Sequence, residues 1–113
     1  MRDDDRIRLR HMIEAAQEAT RFAEHRQRKD LDEDRMLTLA LMKAIEIIGE
    51  AASKLSSELR ETYPEIPWPA ILGVRNKLVH AYFQIDLDVV WRTTVNELPG
   101  LIQSLTDIIE SDK

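Results

Sequence analysis

The sequence predicts an all-α protein, a four- to five-helix up-and-down bundle, and three observations carry that prediction. Apolar residues recur at three- and four-residue steps along most of the chain. No segment shows the apolar–polar alternation of a half-buried strand. Glycine is rare (Gly49, Gly73, Gly100), and proline gathers late, at Pro64, Pro67, Pro69 and Pro99. High charge, ordinary apolar content and few aromatics fit helices with solvated outer faces.

A chain of 113 residues is expected to form one domain, residues 1–113. A chain of that size buries roughly 60–70% of its unfolded surface, enough for one core. There is no cysteine, which excludes disulfides and thiolate metal sites. The N-terminal Met-Arg-Asp-Asp-Asp has no apolar signal core, and no stretch approaches the ~20 apolar residues of a membrane span. A soluble, cytoplasmic protein is expected. Net charge is −5. A general duplex binder would be basic, because counterion release from phosphate drives such binding. A small local phosphate site stays compatible with that charge.

The first helix is expected over 3–26. Asp3, Asp4 and Asp5 supply an N-cap and negative charge at its start, and Leu9, Ile13, Ala16, Thr20 and Ala23 form its apolar stripe. A connection follows near Lys29–Asp32, and the Arg26–Lys29 run reads as a solvated turn answered by Asp30, Asp32, Glu33 and Asp34. The second helix, expected over 33–60, is the longest. Its stripe runs Leu37, Ala40, Leu41, Ala44, Ile47, Ile48, Ala51, Ala52, Leu55 and Leu59, and small residues such as Ala44 and Gly49 admit another helix closely. Glu50 precedes Lys54 by four, a favourable helix pair.

Tyr63-Pro64-Glu65-Ile66-Pro67 breaks the helix. A third helix is expected over 68–82, with Pro67 or Pro69 in its first turn. Asp86 caps a last helical region whose stripe reaches Ile109, with a kink or short break at Pro99.

The candidate site is Arg75-Asn76-Lys77-Leu78-Val79-His80-Ala81-Tyr82. No acid lies between Glu65 and Asp86, although the chain is acidic overall. Arginine offers a charged planar fork matched to phosphate oxygens. Histidine takes and gives a proton near neutrality. Together they suit attack of an RNA 2′-hydroxyl on the adjacent phosphate without a metal: His80 moves the proton, Arg75 holds charge building on phosphorus, and Asn76 orients His80 or binds a phosphate oxygen. In a helix, Asn76 and His80 share one stripe and Arg75 and Tyr82 another, while Arg75 and His80 diverge. A second copy of the helix across a two-fold axis would bring them together, so the spacing points to a dimer seam. The residues alone leave a structural role open: Arg75 can pair with Glu46 or Glu50, and His80 can be a half-buried imidazole.

The motif Arg75-x4-His80-x-Tyr82 resembles that of the HepT toxins of the HEPN superfamily. So do Ala44–Ala52, the flanks Pro67–Phe83, and Asp86-Leu87-Asp88-Val89-Val90-Trp91. The resemblance covers nearly the whole chain. It implies a dimeric HEPN-type helical bundle and a metal-independent RNase that needs no cofactor, acting on tRNA or mRNA. It further implies a toxin of a type VII toxin–antitoxin pair. Its antitoxin would be an MntA nucleotidyltransferase that transfers AMP to the motif tyrosine. By position, Arg75 and His80 would be catalytic, Asn76 supporting and Tyr82 the modified residue. A rival reading is a non-catalytic HEPN dimer that serves as binding partner of a nucleotidyltransferase. Trp68 and Trp91 are candidates for stacking on bases, although an apolar-stripe tryptophan is more often core. His11 and His25 lack carboxylate partners at metal-ligand spacing.

Overall fold

The fold follows from how each apolar stripe finds a partner. The computed structural model describes residues 1–78 and 84–112, with Arg75 as backbone alone. Helix α1 (Asp3–Phe22) buries Leu9, Met12, Ala16 and Ala19 against the long α3 (Arg35–Ser53) and the C-terminal α8 (Leu98–Ser111). These three helices hold the core. Among the described residues no element is a strand, and no helix is long and apolar enough to cross a membrane.

The aspartates at the start of α1 do not supply its N-cap. Arg2 holds that position with no capping side chain. Asp3 and Asp4 stay exposed in the first turn, favourably placed for the helix dipole. Asp5 turns inward, only 3% exposed, and accepts bonds from Ser56 N at 2.9 Å and Ser56 Oγ at 2.6 Å. Helix α1 also stops earlier than 26. Its exit turn puts His25 at φ 60°, a left-handed conformation that suits glycine or asparagine better.

The connection holds a short helix, α2 (Asp30–Glu33), fixed by two arginines. Arg26 contacts Asp30 at 3.5 Å and Asp34 at 2.8 Å. Arg28 contacts Asp32 at 3.1 Å and Asp88 at 2.6 Å, tying the connection to a distant helix. Asp34 caps α3 by accepting Leu37 N at 3.0 Å. The Arg26 guanidinium, with that backbone N–H, holds the Asp34 carboxyl below its ordinary value. The Gln27 backbone N–H and then Arg26 do the same for Asp30.

The seven-turn second helix divides. α3 ends at Ser53, and α4 (Ser57–Thr62) restarts after Ser56, whose hydroxyl accepts Leu59 N at 3.2 Å. Leu55 within the break and Leu59 beyond it are both buried, so the apolar pattern keeps its phase while the backbone does not. Ile47, expected in the stripe, is 39% exposed, and Ile45 takes its place in the core at 1%.

The break at Tyr63–Pro67 is as expected. Trp68 then packs at 6% exposure and donates its indole N–H to Tyr63 O at 3.0 Å, which makes it a core residue rather than a base platform. Trp91 is partly buried against the same core. Over its described part, residues 68–78, the expected third helix is two short ones, α5 (Trp68–Leu72) and α6 (Val74–Leu78), hinged at Gly73, and residues 79–82 of that expectation lie outside the described residues. A Cβ at Gly73 would sit 3.3 Å from Pro69 O, so the tight turn favours glycine. Leu78 O accepts Asp86 N at 2.7 Å, which sets Leu78 of α6 beside the start of α7 (Leu87–Arg92). Asp86 caps α7 through Val89 N at 3.1 Å. The irregularity forced by Pro99 is a π-helical turn at Thr93–Glu97 that leads directly into α8. Proline clashes with the carbonyl four residues back and has no N–H to give it; a wider turn relieves both problems.

Candidate active site

The geometry of the site begins at Gly49. A Cβ there would lie 3.4 Å from Ile71 O and 3.5 Å from Val74 Cγ1, so the α5–α6 hinge lies directly on the α3 backbone. Leu78, fully buried, pins the other end of α6 to the core. Between these anchors α6 carries Arg75, Asn76 and Lys77, and the last two side chains are exposed.

Beside this seat lies a cavity of about 620 Å³. Val74 and Leu72 form one wall. Glu46, Ile47 and Glu50 of α3 form a second, and Ile7, Arg8 and His11 of α1 a third. Glu46 and Glu50 therefore share this cavity with Val74 of the helix that carries Arg75. Glu50 also makes the expected pair with Lys54, at 3.5 Å. His80 and Tyr82 lie outside the described residues, so their expected places, the convergence of His80 with Arg75 and the exposure of the Tyr82 phenol are not part of this geometry. Among the described residues no cluster of His, Asp and Glu could hold a metal ion.

Sequence reading missed two contributors. Arg8 drew no notice, and His11 was weighed only as a metal ligand. The signal was available: Asp4, Ile7, Arg8 and His11 recur at helical spacing and form a second face of α1, distinct from its core stripe. The cavity is also lined by apolar side chains left in solvent, Ile7 at 52%, Ile47 at 39% and Leu72 at 37%. Charges of both signs surround them: Asp4, Glu46 and Glu50 against Arg8, Lys43 and Lys54. Exposed apolar side chains ringed by both charge signs suit a self-complementary contact.

Comparison with known proteins adds to this geometry. The profile of the family described as ribonuclease HepT-like matches residues 12–108. A protein of Caldanaerobacter subterraneus subsp. tengcongensis, named as a candidate RNase, is 38% identical over 85 residues, covering 75% of this chain and 76% of its own. A Methanocaldococcus jannaschii protein, also named as a candidate RNase, is 30% identical over 102 residues, 90% of this chain and 84% of its own. A Thermococcus cleftensis protein named probable ribonuclease HepT is 40% identical over 68 residues, 60% of this chain and 62% of its own. No solved structure gives a significant match.

Proposed function

Because the chain belongs to the HepT-like ribonuclease family, we propose that it is a metal-independent endoribonuclease, the toxin of a type VII toxin–antitoxin pair. The observation that carries the reading is the seating of α6: the helix bearing Arg75 and Asn76 is fixed on Gly49 and Leu78 beside a cavity bordered by Glu46 and Glu50. The 2′-oxygen of RNA attacks the neighbouring phosphorus as its proton passes to His80. The bond from phosphorus to the 5′-oxygen breaks, and that oxygen leaves with the proton that His80 took up. The products are a 2′,3′-cyclic phosphate and a 5′-hydroxyl. Arg75 stabilises the charge gathering on the phosphoryl oxygens, and Asn76 supports it.

Two copies complete the site. Helical spacing would turn Arg75 and His80 apart within one chain, and the exposed Ile7, Ile47 and Leu72, ringed by both charge signs, offer a self-complementary seam beside α6. The unit comprises residues 1–113 as one domain and acts in the cytoplasm on tRNA or mRNA. Regulation works through Tyr82. An MntA-like nucleotidyltransferase joins the phenol oxygen to the α-phosphorus of ATP and releases pyrophosphate. The attached AMP gives Arg75 a phosphate in place of RNA and blocks the cleft.

Growth arrest and RNA cleavage are both expected to vanish in Arg75→Ala and His80→Ala while the fold persists. Intact RNA after incubation with folded, dimeric, unmodified protein would refute the proposal. Mass spectrometry after co-expression with the nucleotidyltransferase should show AMP on Tyr82, and Tyr82→Phe should stay toxic in its presence. Neutralisation of the Phe variant would mean sequestration instead.

A further inference from the structure

A second cavity, of about 450 Å³, lies on the other side of α6 and has no part in the reaction described above. Val74 lines both cavities, so α6 is the wall between them. Positions 75 and 77 are about 160° apart around that helix, which places Lys77 on the second cavity and away from position 75. The volume is within the range of small-ligand sites.

The floor is apolar and buried: Ile45, Ile48, Ile71 and Leu98 are all under 9% exposed. The rim is charged and exposed, with Lys77 and Arg92 against Glu65 and Glu97. None of these four has an ion-pair partner among the described residues. The π-helical turn forms part of the wall through Thr93 and Glu97. Such turns occur often at functional sites because they widen a helix face locally.

The chemistry of the rim selects the occupant. A simple anion would meet two carboxylates, a simple cation two cations, and an aliphatic body would leave all four charges unanswered. A nucleobase matches both levels. Its faces are apolar, and its edge carries donors and acceptors together. Glu65 and Glu97 can accept its N–H groups, while Lys77 and Arg92 donate to its ring nitrogens, its carbonyls or the adjoining phosphate. We infer that this cavity receives one unstacked base of the RNA strand, a neighbour of the scissile phosphate, and that it sets the sequence preference of cleavage. The inference rests on the ribonuclease reading. The strand crosses α6, whose width is about 10 Å, with its reacting phosphate on the Arg75 side and the captured base on the Lys77 side.

Filling the cavity tests this. Gly100 lies on its edge in α8, and a Cβ there meets nothing within 4 Å. Gly100→Phe therefore enters open space, and losing a helix-interior glycine favours the helix. Ala70→Phe, from the exposed Ala70 on α5, fills it independently. Each variant is assayed twice: for affinity to fluorescent single-stranded RNA oligomers in a His80→Ala background, and for cleavage-site sequence by RNA sequencing with His80 intact. The expected result is a folded variant that binds about tenfold more weakly, within the range for one contacted base, and that loses preference at one position beside the cleaved bond. Unchanged affinity and an unchanged cleavage profile in both variants would overturn the inference. Parent protein that leaves all RNA intact would sink the ribonuclease reading, and equal RNA binding by parent and filled variants would then sink the base site as well. Loss of nucleotidyltransferase binding with the RNA profile unchanged would assign the cavity to a protein side chain and overturn it too.

Discussion

The contact at Gly49 seats α5 and α6 on α3, and a size series there tests it. Gly49 lies inside α3, where glycine costs about 0.5–1 kcal/mol relative to alanine. The alanine Cβ would meet Ile71 O at 3.4 Å and Val74 Cγ1 at 3.5 Å, contacts at the edge of ordinary van der Waals separation. Gly49→Ala should therefore raise stability by about 0.5–1 kcal/mol, the propensity gain, with little strain against it. Gly49→Leu has no such room. Its outer carbons would overlap the α5 carbonyl and the Val74 side chain, and overpacking of this kind costs about 1–3 kcal/mol. The same wedge would lift α6, and a shift of about 1 Å in a positioning element costs roughly 100-fold in rate. Urea unfolding followed by far-UV circular dichroism gives the first quantity, and the initial rate of RNA cleavage gives the second. If Gly49→Leu matches the parent in both, α5 and α6 are not seated on α3 and the site geometry is wrong.

Other perturbations read separate parts of the fold. Asp5→Ala strips two hydrogen bonds from a buried carboxylate to Ser56 and should cost about 2–4 kcal/mol in urea unfolding, since bonds to a charged group contribute about 1.5–3 kcal/mol each and are not additive. His25→Gly relieves a left-handed residue and should add about 0.5–1 kcal/mol, whereas His25→Ala should change little. Asp34→Asn keeps a capping oxygen for Leu37 but loses the ion pair with Arg26. Because the Asp34 carboxyl is held below its ordinary value of 3.8, its contribution is complete above that pH and disappears as pH falls through the lowered value. The melting-temperature gap between parent and Asp34→Asn should thus stay constant above about pH 5 and close as pH falls below about 4; a gap that widens in acid would contradict the assignment.

What could be read from the chain depended on how local the cause was. The Asp86 cap, the Glu50–Lys54 pair and the break at Tyr63–Pro67 arise from residues within four or five positions of one another, and all three stand in the structure. The division of the long helix at Lys54–Ser56 was hidden. Leu55 and Leu59 keep the apolar phase across it, and what fixes Ser56 is Asp5, 51 residues away in sequence. That same long-range contact removed Asp5 from its expected role at the start of α1. Pro99 announced an irregularity but not its kind, since a π turn and a break relieve the same clash. At the candidate site, the helical character of 75–78 was legible from local pattern. The part played by Arg8 and His11 was not, because three helices must pack before α1 contributes a wall. The exposure of Ile47 was missed for a related reason: periodicity identifies an apolar face but not whether its partner lies in the same chain or in a second copy.

The central claim is that Arg75 and His80 from two copies meet and cleave RNA. Mixing Arg75→Ala with His80→Ala protein, allowing subunits to exchange and measuring single-turnover RNA cleavage tests it most directly. Each variant alone should be inactive. In the mixture, half the dimers are mixed, and each of these holds one site with both residues intact, so activity should recover to about a quarter of the parent's. A mixture as inactive as its components would contradict a site shared across the seam, and cleavage by either variant alone would remove that residue from the chemistry.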